Sequence, residues 1–292
     1  MLIFPTLSPE LFSVEIMGYT FALRWYALSY LVGFLVAYYL MRLVSGKSKF
    51  WPYGVEPLDR EQLDGLLTYL ILGVIVGGRL GYVFFYNANH YLQHPDEVIR
   101  IWDGGMSFHG GFLGVIIAVY FYSRRNGILL WSCADLIALS APPGLFLGRV
   151  ANFVNAELWG RPTDMPWGVV FPGARAQDCP NIEGMCARHP SQLYEAGLEG
   201  FALFLVMLIV IGLGALRRPG FVSGVFFLGY GGSRYFVEFY RVPDPQFFSS
   251  INPYGFAFQV GEYGITMGQM LSLPMIFIGL LLCFTRRPKG IE

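Results

Sequence analysis

The sequence predicts an all-α polytopic membrane protein: seven transmembrane helices with an outward-facing arm between the fourth and fifth. Three observations lead there. Of 292 residues, 54% are hydrophobic and only 14% charged, against roughly 25% charged in an average soluble domain. The apolar residues run in long stretches close to the 20 or so that cross a bilayer as a helix. Basic clusters recur at every second break between those stretches.

The spans fall near 19–41, 66–86, 107–122, 132–150, 193–214, 221–241 and 266–284. Gly104-Gly105 and Gly110-Gly111 flank the start of the third, so a broken or re-entrant start is expected. Such backbone is tolerated at membrane depth only where protein or water satisfies it. Gly73, Gly77 and Gly81 share one face of the second span, where small residues let helices approach closely. Glu10, Glu15 and the lack of a basic leader argue against a cleaved signal peptide.

Orientation follows from the basic clusters. Arg42, Lys47, Lys49 and Arg60 follow the first span, Arg124 and Arg125 the third, Arg217 and Arg218 the fifth, and Arg286, Arg287 and Lys289 the last. All lie after odd-numbered spans, which puts that side in the cytoplasm and the N-terminus outside. Residues 151–192 then form a Pro-rich external arm and 242–265 a shorter aromatic loop, both within one membrane-embedded domain covering 1–292. Cys179 and Cys186 lie in that arm, in an oxidising compartment, where a disulfide and two free thiols fit the sequence equally.

Several function classes drop out. The formal net charge is zero, leaving no electrostatic basis for nucleic-acid binding. No CxxC or zinc-like set occurs among the four cysteines, so no structural metal is expected. There is no GxSxG, HExxH, P-loop or GxGxxG pattern.

The informative residues are ionisable groups at or inside the spans: Arg79, His109, Asp135, Arg149, Glu195, Glu199, Arg234, Glu238 and Arg241. A charge at the centre of a span costs about 2.5–3.5 kcal/mol, so each needs a partner or a purpose. Depth sorts them. Arg79, Arg149 and Arg234 fall towards the outer ends of their spans, His109 and Tyr26 near the outer starts of theirs, and Glu238 and Arg241 just beyond Arg234. Only Asp135 belongs to the opposite end. Tyr230, Arg234, Glu238 and Arg241 follow at helical intervals and form one stripe. In this layer arginines outnumber carboxylates, and spare positive charge calls for an anion. A lipid phosphodiester suits bidentate guanidinium contact.

The fourth span ends in the run Gly148–Gly160, where Arg149 and Asn152 point the same way and Glu157 is placed to orient the arginine. His109, between glycines, is an unshielded imidazole at the same depth. Before the fifth span, Ser191 fits an N-cap and Glu195 the positive end of the helix dipole.

These residues carry a resemblance. The run Gly148-Arg149, Asn152-Phe153, Asn155, Glu157, Gly160 resembles the signature of prolipoprotein diacylglyceryl transferases. The segments around Arg24-Trp25-Tyr26, Gly77-Gly78-Arg79, His109 and His189–Glu195, with the sixth-span stripe, are similar to that family's other blocks. The resemblance implies an enzyme of the bacterial inner membrane that transfers diacylglyceryl from phosphatidylglycerol to the lipobox cysteine of a prolipoprotein, releasing glycerol 1-phosphate. It puts Arg149 at the position that binds phosphatidylglycerol, and Tyr26, His109, Asn152, Glu157, Gly160 and Arg234 at functional positions.

On that reading Arg149 and Arg234 stabilise the leaving phosphate, and His109 takes the thiol proton, directly or through Tyr230 or water. Arg79, Glu238 and Arg241 complete the lipid-binding set. No metal or soluble cofactor is needed, since the phosphodiester is already an activated donor. A lipid or anion transporter and a non-catalytic assembly factor are the rival classes. No internal repeat supports the first, and the second leaves the buried arginines unexplained.

Overall fold

The computed structural model describes residues 1–16, 19–179, 182, 184–243, 247–249, 252–261 and 263–286. Arg287 and Lys289 of the last basic cluster lie outside the described residues. Among the described residues seven long helices follow in order. They are α1 (Trp25–Ser45), α2 (Arg60–Tyr86), α3 (Phe108–Arg125), α4 (Leu130–Val154), α5 (Ser191–Gly212), α6 (Phe221–Val237) and α7 (Met267–Thr285). Of these, α1, α2, α4, α5 and α7 are long and apolar enough to cross a bilayer. The molecule is a mostly helical membrane protein.

Three short sheets correct the all-α expectation. β1 (Leu2–Ile3) lies parallel to β4 (Val169–Val170), in the arm. The antiparallel pairs are β2 (Glu10–Ile16) with β3 (Tyr19–Arg24), and β5 (Phe258–Val260) with β6 (Tyr263–Ile265). β3 takes the first residues expected in the first span, because a short apolar strand and a helix start have the same hydropathy.

The helix boundaries have local causes. Asp59 and Gln62 make a reciprocal capping box before α2, and Thr266 and Gln269 do the same before α7. Ser107 caps α3 by accepting from the Gly110 amide at 3.2 Å. The third helix therefore starts at Phe108 and runs unbroken to Arg125. Gly104 and Gly105 sit just ahead of it at φ 85° and 78°, where the chain turns through a conformation that L side chains avoid.

The glycine face of α2 packs as expected. A Cβ on Gly73 would stand 2.7 Å from the Gly114 carbonyl oxygen, one on Gly81 2.6 Å from the Gly110 Cα, and one on Gly77 would strike the Gly110 carbonyl. Helices α2 and α3 thus touch backbone to backbone along their length. Gly33 of α1 meets Gly144 of α4 in the same manner.

The buried apolar core gathers at one end of the bundle. It takes Met41 and Val44 late in α1, Leu63 and Leu66 early in α2, Leu136 and Leu139 early in α4, and Met207 and Ile211 late in α5. Successive helices are therefore antiparallel. The starts of α1, α3, α5 and α7 share the other end with the ends of α2, α4 and α6.

Asp135 belongs to the apolar end and explains how α6 begins there. It is fully buried, and its carboxylate accepts from the Gly220 amide, the Ser223 amide and the Ser223 hydroxyl, each at 2.7 Å. A side chain of α4 thus caps α6, in a place where water cannot. Asp135→Ala should lose about 3 kcal/mol, since three buried donors lose their acceptor. Thermal unfolding in detergent reads this, and an unchanged midpoint would remove the cap from the account.

Candidate active site

At the polar end four chain segments deliver ionisable groups to one cluster. Helix α4 brings Arg149 and α5 brings Glu195 and Glu199. Helix α6 and the turn after it bring Tyr230, Arg234, Glu238 and Arg241, and the start of α7 brings Thr266. Glu195 is the hub. Its Oε2 lies 2.7 Å from Arg149 Nε, and its Oε1 lies 3.0 Å from Arg234 Nη1 and also meets Arg241 Nη1. Glu238 forms a second bridge, 2.7 Å from Arg234 Nη2 and 3.5 Å from Arg241 Nε, and accepts from the Thr266 hydroxyl at 3.1 Å. Glu199 stands 3.7 Å from Arg149 Nη2, and Tyr230 sits one turn before Arg234 on α6.

The local backbone explains how two carboxylates of α5 reach one arginine. Residues Ala196–Ala202 form a π-helical stretch within α5, a wider turn that recurs at functional sites. At its far end a Cβ on Gly200 would stand 2.7 Å from the Phe146 Cα, so α5 presses against α4 one turn before Arg149.

Charge is balanced rather than in excess. Three arginines face three carboxylates, which corrects the expectation of spare positive charge. The asymmetry is one of position. The side chains of Glu195 and Glu199 are 0% exposed and that of Glu238 6%, whereas Arg149, Arg234 and Arg241 keep 21, 18 and 16%. The carboxylates form the floor, and the guanidiniums cover them with their remaining N–H groups towards the accessible side. A guanidinium has five donors, so pairing with the floor does not exhaust it.

Chain-length comparison identifies the fold's relatives. A family model described as prolipoprotein diacylglyceryl transferase matches residues 13–285. The chain belongs to this family. A protein of Cereibacter sphaeroides is 57% identical over 285 residues, which covers 97% of each chain. Its counterpart in Ruegeria pomeroyi is 57% identical over 278 residues, 95% of this chain and 94% of its own. One from Rhizobium leguminosarum bv. trifolii is 47% identical over 278 residues, covering 95% and 91%. All three carry the name phosphatidylglycerol–prolipoprotein diacylglyceryl transferase.

Within the family signature run the residues divide the work. Arg149 alone reaches the ion cluster. Glu157 does not orient it: its Oε1 accepts from the side-chain Nδ2 of Asn152 at 2.8 Å and that of Asn155 at 3.3 Å. This ties the chain just after α4, where Ala156 and Leu158 take φ of 52° and 57°. Gly160 donates its amide to the His189 carbonyl at 2.8 Å, and a Cβ there would strike the Tyr240 carbonyl. It is the point where the arm crosses the chain after α6.

Arg79 and Tyr26 are held by groups outside the ion cluster. Arg79 is buried and donates to the carbonyls of Val98 and Glu97 at 2.7 Å, Gly104 at 2.6 Å and Gly105 at 3.2 Å. Four of its five donors pin the loop between α2 and α3. Tyr26 opens α1 with its hydroxyl 3.1 Å from that of Tyr30. His109 is the second residue of α3 and is exposed. Ser191 is not an N-cap: its hydroxyl donates to the Leu158 carbonyl at 3.0 Å.

The arm is built on cation and disulfide pins. Cys179 and Cys186 are joined, with Cα atoms 6.3 Å apart. Arg188 lies over the Trp159 ring at 4.2 Å and donates to the carbonyls of Ala176 at 2.6 Å and Asp178 at 2.8 Å. His189 stands between Tyr194 and Tyr240, its Nδ1 3.0 Å from the Tyr194 hydroxyl. Burial holds its pKa below the ordinary histidine value, so it serves as a neutral hydrogen-bonding wall.

In the sequence Glu195 is legible as an ionisable group suited to the helix dipole and as part of the His189–Glu195 block, but not as the hub. Its central place could have been suspected from Glu199, four residues on, which puts two carboxylates on one face.

Proposed function

We infer that this chain transfers the diacylglyceryl group of phosphatidylglycerol to the thiol of a lipobox cysteine in a prolipoprotein, making a thioether and releasing glycerol 1-phosphate. The observation that carries this reading is the meeting of Arg149 and Arg234 on opposite oxygens of Glu195, 2.7 and 3.0 Å away. Two guanidiniums from different helices are thereby fixed side by side, with donors left over for one phosphate.

In the reaction the cysteine sulfur attacks the glyceryl CH2 and the C–O bond to phosphate breaks. Charge grows on the leaving phosphate, and preorganised donors aimed at that charge lower the barrier. Glu195, Glu199 and Glu238 keep the donors in place without competing for the open side. Tyr230, one turn before Arg234 on α6, belongs to the same array. His109 takes the thiol proton, which neighbouring cations make easier to remove. His109→Gln is expected to slow transfer at neutral pH at least tenfold and to recover part of the rate as pH rises through the thiol pKa; a normal rate at neutral pH would reject the base.

The antiparallel run of α1 to α7 supports seven crossings with the polar end and the arm outside. Phosphatidylglycerol then reaches the site from the outer leaflet of a bacterial inner membrane, with the N-terminus in the periplasm and the C-terminus in the cytoplasm. The direct test incubates the purified protein with phosphatidylglycerol and a lipobox peptide. A mass gain of one diacylglyceryl group on the cysteine is expected. Lipid movement across proteoliposomes without a covalent product would point to a transporter instead.

A further inference from the structure

The other end of α5 holds a feature that diacylglyceryl transfer does not use. Gly214, at φ 87°, stops the helix, and the chain turns back into α6 within a few residues. A cavity of about 330 Å³ opens there, walled by Val210, Leu213 and Phe221 and edged by Arg217 and Arg218. Both arginines are exposed. Arg217 donates to the Lys49 carbonyl at 3.1 Å, and Arg218 lies 5.4 Å over the Phe221 ring. The first contact draws the segment bearing Lys47 and Lys49 to the same rim.

Among the described residues, none of these four cations is ion-paired to a carboxylate. In the cluster at the polar end, by contrast, Arg149, Arg234 and Arg241 are each ion-paired to a carboxylate. Position matters as well. Glu195 lies in the first turns of α5 and Arg217 beyond its last, and that helix is long enough to cross a bilayer. The two sites therefore face opposite leaflets.

An apolar wall beside unpaired guanidiniums at a membrane surface matches a lipid with an anionic phosphate headgroup. We propose that the turn between α5 and α6 is a binding site for such a lipid, separate from the arginine cluster. The phosphate lies against Arg217 and Arg218, and one acyl chain runs along Val210 and Leu213. The occupied site ties the ends of the two helices that carry Glu195, Glu199 and Arg234. The proposal stands independently of the transferase reading.

The test uses full-length protein in detergent, titrated separately with phosphatidylserine, phosphatidylcholine and inorganic phosphate, with bound molecules counted by native mass spectrometry. Arg149→Ala is included to empty the opposite site. Wild type and Arg149→Ala should each retain one phosphatidylserine in preference to phosphatidylcholine. The double variant Arg217→Gln/Arg218→Gln should bind it about tenfold more weakly while transferring diacylglyceryl at the wild-type rate. Should that variant fail to fold, Arg217→Lys/Arg218→Lys keeps the charge and is expected to keep most of the lipid. Undiminished phosphatidylserine on the glutamine variant, equal retention of phosphatidylcholine, or displacement by millimolar inorganic phosphate would overturn the site. Loss of transfer in the wild type with the lipid still bound would instead refute the transferase reading and leave this site standing.

Discussion

Glu195→Gln is expected to produce the largest loss of stability available from a single polar substitution in this molecule. The carboxylate is fully buried and bridges Arg149, Arg234 and Arg241. With an amide there, three guanidiniums crowd one another around a neutral group, and only Glu199 and Glu238 oppose them. Breaking a buried ion pair by removing one partner costs about 3–5 kcal/mol; the arginines keep some solvent contact, which places the expected cost near the lower figure. The midpoint of thermal unfolding in detergent should fall, and transfer should fall with it because the donors lose their common anchor. A variant with normal unfolding and normal turnover would show that Glu195 is a bystander.

Arg149→Ala separates chemistry from folding. Glu195 retains two of its three arginines in this variant, so the loss of stability should be smaller than for Glu195→Gln. The rate should suffer more. Removing one preorganised donor from a developing oxyanion costs about 10²–10³ in turnover, and here the donor also fixes the lipid. Arg149→Lys is expected to recover little. An ammonium keeps the charge but cannot reach Glu195, Glu199 and a phosphate at once, as a planar fork does. Steady-state transfer to a lipobox peptide measures both. Turnover within twofold of wild type in the alanine variant would take Arg149 out of the mechanism.

The sequence was most legible where a single helix carries the information. The spacing of Tyr230, Arg234, Glu238 and Arg241 implied one stripe, and Arg234 and Arg241 do share Glu238. The Gly73, Gly77 and Gly81 face implied close packing, which α3 supplies. The starts and ends of alternate helices meet at one end, where Arg149, Arg234 and Arg241 share Glu195. What could not be read was which acid serves which base. Glu195 reaches arginines 39 and 46 residues away, and no periodicity links α5 to α6. Glu157 lies nearer to Arg149 in sequence, yet the chain turns after Val154 and gives it to Asn152 and Asn155.

Arg79 shows another limit. Its partners are backbone carbonyls, which every residue has, so the side-chain pattern leaves no trace of them. Such an arginine cannot be told from a ligand-binding one by sequence depth. The β3 strand was hidden for a related reason, since six residues are too few for a period of two to stand out from one of 3.6.

The glycine seam between α2 and α3 has a mechanical consequence. Backbone groups in close contact at Gly73, Gly77 and Gly81 leave these helices little room to slide past one another, and parting them forfeits that packing. The pair moves as a single plank. Two fatty tails arriving with the donor lipid must therefore slip in and out across some other border of the bundle, and engineered cross-links along the α2–α3 border should leave that traffic undisturbed.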